Sequence, residues 1–176
     1  MRIGITGTQC VGKTSLVQAL QNDPEFKNYV FRTERSKYLR DLGIPLNTDS
    51  TIEGQSLFLA ERAFELKEPK IITDRTIIDV MAFTLTAKSI PHDEAKLFCE
   101  FAKIFIPRYD YIFFIPSEGI EMKDNKVRAT DLDYRKIIED KIIDLIFEYR
   151  NEIKDYWVIS GDVEERISQI KRVIFS

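Results

Sequence analysis

Only two cysteines, Cys10 and Cys99, and one histidine occur in the 176 residues. Two isolated thiols exclude a disulfide-built scaffold and suit a reducing, cytoplasmic setting. Neither has a second cysteine or histidine nearby, so no clustered zinc motif is present. His92 follows Pro91 and precedes Asp93-Glu94, which reads as an exposed helix start rather than a catalytic base. No apolar run is long enough to span a bilayer, and Arg2 leads straight into a strand pattern, which argues against a secretory leader. Internal repeats and low-complexity tracts are also missing. The formal net charge of −3 argues against general nucleic-acid binding. What remains, with 44% apolar residues and mixed charge, is the composition of one soluble globular domain.

The seven glycines are few, yet two of them lie within one octet near the start. Gly7-Thr8-Gln9-Cys10-Val11-Gly12-Lys13-Thr14 matches G-x-x-x-x-G-K-[ST], a phosphate-binding loop. Its context fits: Arg2–Thr6 reads as a strand, and the residues from Thr14 to Leu20 read as a helix with Leu16, Val17 and Leu20 on one face. Gly7 and Gly12 let the backbone approach a polyphosphate closely. The amides of Gln9, Cys10, Val11, Gly12, Lys13, Thr14 and Ser15 form an anion nest, reinforced by the helix dipole. Lys13 is placed to reach the β- and γ-phosphates, and the Thr14 hydroxyl to ligate Mg²⁺. The implied cofactors are ATP and Mg²⁺.

Downstream, strand and helix patterns alternate. Strands are expected near Tyr29–Thr33, Lys70–Asp74, Tyr111–Ile115 and Tyr156–Ile159. Helices are expected near Glu34–Leu42, Ile52–Lys67, the residues after Asp74, Pro91–Phe105, Leu132–Tyr149 and the C-terminus. This predicts an α/β class with a mostly parallel five-stranded sheet. Residues 117–130 are polar and lack periodicity, which suggests a lid. Phe58, Phe64, Phe98 and Phe101 fall at helical spacing and read as core.

The third strand ends Asp74-Arg75. A water-splitting ATPase usually carries Asp-Glu there, whereas a cation beside the phosphates suits group transfer. Asp74 is a candidate for the Mg²⁺ shell or for general base. Glu34, at the predicted tip of the second strand, faces the ligand crevice of an open α/β sheet and is a second candidate base. Asn125-Lys126-Val127-Arg128 fails the guanine-reading pattern at its last residue, against a switch-type GTPase.

Four segments together resemble the phosphate-loop kinases of the nucleoside and nucleotide group, which includes thymidylate kinases, deoxynucleoside kinases and ribosylnicotinamide-kinase-like domains. They are the loop itself, Phe31-Arg32-Thr33-Glu34-Arg35, Asp74-Arg75-Thr76 with Asp79, and Asp124-Asn125-Lys126-Val127-Arg128 with Arg135. The resemblance implies a single three-layer domain over residues 1–176 with strand order 2-3-1-4-5. It implies an ATP-dependent transfer of the γ-phosphoryl group to a nucleoside, a nucleoside monophosphate or a related small acceptor. By the same resemblance Arg75 clamps a phosphate, Arg128 and Arg135 close over the triphosphate from the lid, and the Ser160-Gly161-Asp162 loop meets adenine. Arg35, Lys37, Arg40 and Arg62 form a further basic set able to receive an acceptor phosphate. A homodimer is compatible with such a chain; a membrane partner is not expected. Two other readings stay open, a regulatory ATP-binding module without an acceptor and a kinase acting on modified nucleotides in DNA.

Overall fold

The computed structural model describes residues 1–33, 35–120 and 132–175. Five strands, β1 (Arg2–Thr6), β2 (Val30–Arg32), β3 (Ile71–Asp74), β4 (Tyr111–Phe114) and β5 (Tyr156–Val158), form one sheet. The order is β2-β3-β1-β4-β5, and every neighbouring pair is parallel. Seven α-helices are described: α1 (Lys13–Gln21), α2 (Ser36–Asp41), α3 (Ile52–Glu65), α4 (Ile77–Thr86), α5 (His92–Ala102), α6 (Leu132–Glu148) and α7 (Val163–Phe175). The expected class and strand order are both present.

Alternation along the strands divides the core in two. Ile3, Ile5, Ile72, Phe113 and Ile115 join α1 and α7 on one face. Ile112 and Phe114 face the other way, into the larger cluster built with α4, α5 and α6. Buried on both faces, the central strands need apolar residues at successive positions, which explains the isoleucine-rich runs. Between Ile3 and Ile5 sits Gly4, where any Cβ would collide with Thr76 Cγ2 and the Tyr109 ring. The absent side chain lets the β3–α4 turn lie against the end of β1.

Helix boundaries depart from expectation where local chemistry intervenes. α5 stops at Ala102, and residues Lys103–Arg108 tighten into a 3₁₀ turn containing Pro107, because proline offers no amide to continue the α-helical ladder. Phe98 is buried as expected, but Phe64 and Phe101 are 69% and 58% exposed. Helical spacing alone does not distinguish a core-facing stripe from an outward one. His92 is exposed at the start of α5. Among the described residues, no helix is long and apolar enough to cross a membrane.

Candidate functional site

The loop after β1 turns through left-handed backbone at Gly7 (φ 145°), Cys10 (φ 60°) and Gly12 (φ 86°). A Cβ at Gly7 would come to 2.6 Å from the Ile115 carbonyl oxygen, so glycine is required there by space as well as by φ. α1 begins at Lys13 with no side-chain cap and no acidic residue in its first turn. Its N-terminal amides are therefore left to an anion at the centre of the loop. Lys13 is 5% exposed and donates from Nζ to the carbonyls of Gly7 and Thr8, both at 2.7 Å. The ammonium is thus already inside the loop that would wrap the phosphates.

β3 pairs with β1 in register, Ile5 opposite Asp74, which brings the tip of β3 beside the loop. There the Thr14 hydroxyl donates to Asp74 Oδ2. Asp74 is fully buried, and its Oδ1 has no hydrogen-bond partner. A buried carboxylate oxygen without a donor is costly unless a cation or its water shell occupies the space beside it. One hydroxyl and one carboxylate are a fitting protein contribution to Mg²⁺, which takes most of its remaining ligands from phosphate and water.

Arg75 follows in a left-handed conformation, φ 78°. For a non-glycine residue this costs on the order of 1 kcal/mol. The turn is held by its surroundings: the Arg75 amide donates to the Ile5 carbonyl at 2.9 Å. Asp79 Oδ2 accepts from the Thr6 hydroxyl at 2.8 Å, the Thr76 amide at 2.7 Å and the Thr76 hydroxyl at 2.8 Å. Asp79 therefore serves the turn that aims Arg75, whose guanidinium lies 4.6 Å from the centre of the Phe83 ring.

Arg135, from α6, is 5% exposed. Its Nη1 donates to the Ile120 carbonyl at 2.8 Å, and its own carbonyl lies 2.9 Å from Thr8 Oγ1. Its Nε and Nη2 are buried with no hydrogen-bond partner among the described residues. The backbone of Arg135 is thus tied directly to the phosphate loop. Glu34, Arg128 and most of the expected lid lie outside the described residues.

The basic set divides. Arg62 is buried, donating to the Asp74 carbonyl at 3.0 Å and to a Glu65 carboxylate oxygen at 3.1 Å. It braces the tip of β3 and is not a surface receptor for phosphate. Arg35 pairs with Glu61 at 3.0 Å and lies over the Tyr38 ring, while Arg40 pairs with Asp41 at 2.9 Å. Asp162 is exposed and caps α7: its amide donates to Glu165 Oε2 at 2.8 Å, and the Glu165 amide donates to Asp162 Oδ1 at 2.9 Å.

Two groups of residues escaped the sequence reading. Arg166 is 6% exposed and donates from Nη1 to the Val11 carbonyl at 2.8 Å, with burial pulling its pKa below the ordinary guanidinium value. The available signal was its spacing, four residues before Ile170 on the inner face of α7. The second group lines a cavity beside the loop. Ser36, Ser50, Gln55 and Phe83 line it together with Phe58 and with Gln9 and Arg75, which the sequence already singled out. Gln55 precedes Leu59 and Arg62 at core-facing spacing, so a buried amide was legible there.

The cysteines provide a test of the loop. Cys99 is 4% exposed, and burial, with Glu148 and Glu100 nearby, pushes its thiol up to about 12. Cys10 is only half-buried. At pH 8 iodoacetamide should label Cys10 alone, and ATP·Mg²⁺ should slow that labelling by about tenfold or more at saturation. Peptide mass spectrometry reads both results. A labelling rate indifferent to nucleotide would count against this loop as the binding site.

Comparison with known proteins is consistent with this geometry. A family model described as an AAA domain matches residues 2–166. No curated protein matches significantly. Among solved structures, NadR protein in complex with NR superposes with a TM-score of 0.77 at 14% identity, covering 99% of this chain and 51% of NadR. NadR with NAD and AMP-PNP gives 0.71 at 14% identity, covering 99% and 49%. Deoxyadenosine kinase from M. mycoides, with dCMP and dCDP bound, gives 0.67 at 15% identity, covering 99% and 98%. The chain thus spans about half the length of NadR and nearly all of the deoxyadenosine kinase, and at these identities the likeness is one of fold.

Proposed function

Because the chain belongs to the AAA-domain family of phosphate-loop nucleoside triphosphatases, we propose that it is an ATP-dependent kinase of a small nucleoside-type acceptor. The observation that carries this reading is a separate cavity whose lining includes Gln9 of the phosphate loop and Arg75, the residue after the Asp74 that accepts from Thr14. A kinase, unlike a triphosphatase that only cycles nucleotide, needs a second, partly apolar cavity against its phosphate loop to hold an acceptor. The ligands of the neighbours, NR in NadR and deoxynucleotides in deoxyadenosine kinase, support an acceptor of this class.

The charge of the cavity favours a neutral nucleoside over its monophosphate. Arg75 is the only cation among the described lining residues. Arg35, Arg40 and Arg62 are engaged with Glu61, Asp41 and Glu65 respectively. A dianionic phosphate generally calls for two or more charge-assisted donors.

In the reaction the acceptor hydroxyl oxygen forms a bond to the γ-phosphorus. The bond from that phosphorus to the β–γ bridging oxygen breaks, and ADP leaves. The hydroxyl proton passes to a carboxylate, Glu34 or Asp74. Lys13, Arg75 and Arg135 stabilise charge on the phosphoryl oxygens, with Arg128 joining them from the lid. Mg²⁺, held on the protein side by Thr14 and Asp74, neutralises the β- and γ-phosphates when bound.

The test is ADP release from ATP·Mg²⁺ across nucleosides, their 5′-monophosphates and ribosylnicotinamide. Nucleoside-dependent release is the expected result. Release driven only by monophosphates would reassign the acceptor. ATP binding with no acceptor dependence at all would favour a regulatory module.

A further inference from the structure

The Arg166 guanidinium is seated on a single peptide of the phosphate loop. Its Nη1 donates to the Val11 carbonyl at 2.8 Å, and a Cβ added at Gly12 would come to 3.2 Å from the same nitrogen. Val11 is fixed from the same side. Its side chain is buried in the core cluster that includes Ile167 and Ile170 of α7. Arg166 Nε is buried with no hydrogen-bond partner, and among the described residues the side chain forms no ion pair. A guanidinium buried this deeply is usually paired with a counter-charge.

The Val11–Gly12 peptide needs such a hold. Gly12 has φ 86°, but glycine takes positive and negative φ about equally well. Nothing in the residue itself stops this peptide from turning over. The peptide is trans, so its C=O and N–H point in opposite directions. With the Val11 carbonyl drawn toward α7, the Gly12 N–H points away from α7. We propose that Arg166 is a positioning residue for the nucleotide: by holding the Val11 carbonyl it aims the Gly12 amide at the polyphosphate. This role rests on ATP binding at the loop, as proposed above. Turned over, the same peptide would present a carbonyl oxygen to the phosphates. The bound phosphates in turn supply the counter-charge for the guanidinium. Arg166 also joins the two ends of the nucleotide site, because its amide donates to the Asp162 carbonyl at 3.1 Å, in the loop expected to meet adenine.

Glycine-selective ¹⁵N labelling of the full chain tests this by NMR. The chain has seven glycines, and Gly12 is the only one that follows a valine, so ¹³C labelling of the valine carbonyls identifies its signal. In the native protein ATP·Mg²⁺ should move the Gly12 amide proton downfield, as a charge-assisted hydrogen bond does. Arg166→Met should lose most of that shift. By calorimetry it should bind ATP·Mg²⁺ about tenfold or more weakly, with a thermal midpoint without nucleotide within a few degrees of the parent. Arg166→Lys keeps a cationic donor for the single bond to Val11 and should bind within about threefold of the native chain. A native chain with no affinity for ATP removes the loop's own assignment and this role with it. ATP bound by the native chain with the Gly12 signal unmoved overturns the role of Arg166 alone, and that measurement needs no variant to fold. Native affinity in the methionine variant overturns it too, as does a lysine variant no better than the methionine one.

Discussion

Lys13→Ala should retain the fold and lose phosphoryl transfer by about a thousandfold or more. Its Nζ donates to the carbonyls of Gly7 and Thr8 within the loop, so those two bonds hold no strand or core contact. Removing it deletes the one ammonium enclosed by the loop, where low exposure strengthens each electrostatic contact with phosphate. The loop amides and the α1 dipole remain, so nucleotide binding should weaken less than turnover does. Steady-state ADP release with and without acceptor, alongside calorimetric ATP binding, separates the two effects. Native turnover in the alanine variant would remove Lys13 from the mechanism.

Asp74→Asn should be nearly as damaging to activity and far gentler to stability. The replacement keeps the shape of the side chain, and its amide oxygen can still accept from the Thr14 hydroxyl. It removes the negative charge that would hold Mg²⁺ at this tip, and it gives the neighbouring position a donor where Oδ1 now has no partner. A fall in turnover of about a hundredfold or more is expected, with more Mg²⁺ needed for half-maximal rate. Because Arg62 binds the Asp74 backbone carbonyl and not the carboxylate, the β3 tip should stay in place. A thermal midpoint in the absence of nucleotide within a few degrees of the parent checks this. Unchanged magnesium dependence would refute the assignment of Asp74 to the metal.

The chain read without coordinates carries the phosphate loop, the α/β class and the Thr14–Asp74 pairing in outline. Each rests on local or periodic chemistry. The glycines, the lysine and the helix start of the loop are contiguous, and a strand that ends in a carboxylate advertises its tip. Three features needed the tertiary structure. Arg62 sits among surface-type residues in sequence, but α3 turns it inward onto the β3 carbonyl. Arg166 is 155 residues from Val11 and reaches it only because α7 packs on α1. Phe101 shares the spacing of Phe98 but faces solvent, since the side of α5 that meets α4 is chosen by packing between helices. Composition and periodicity state which faces can be buried and which groups bind phosphate; they are properties of neighbours along the chain. Which arginine braces and which phenylalanine remains outside depend on groups brought together by the sheet order, and no local pattern encodes that.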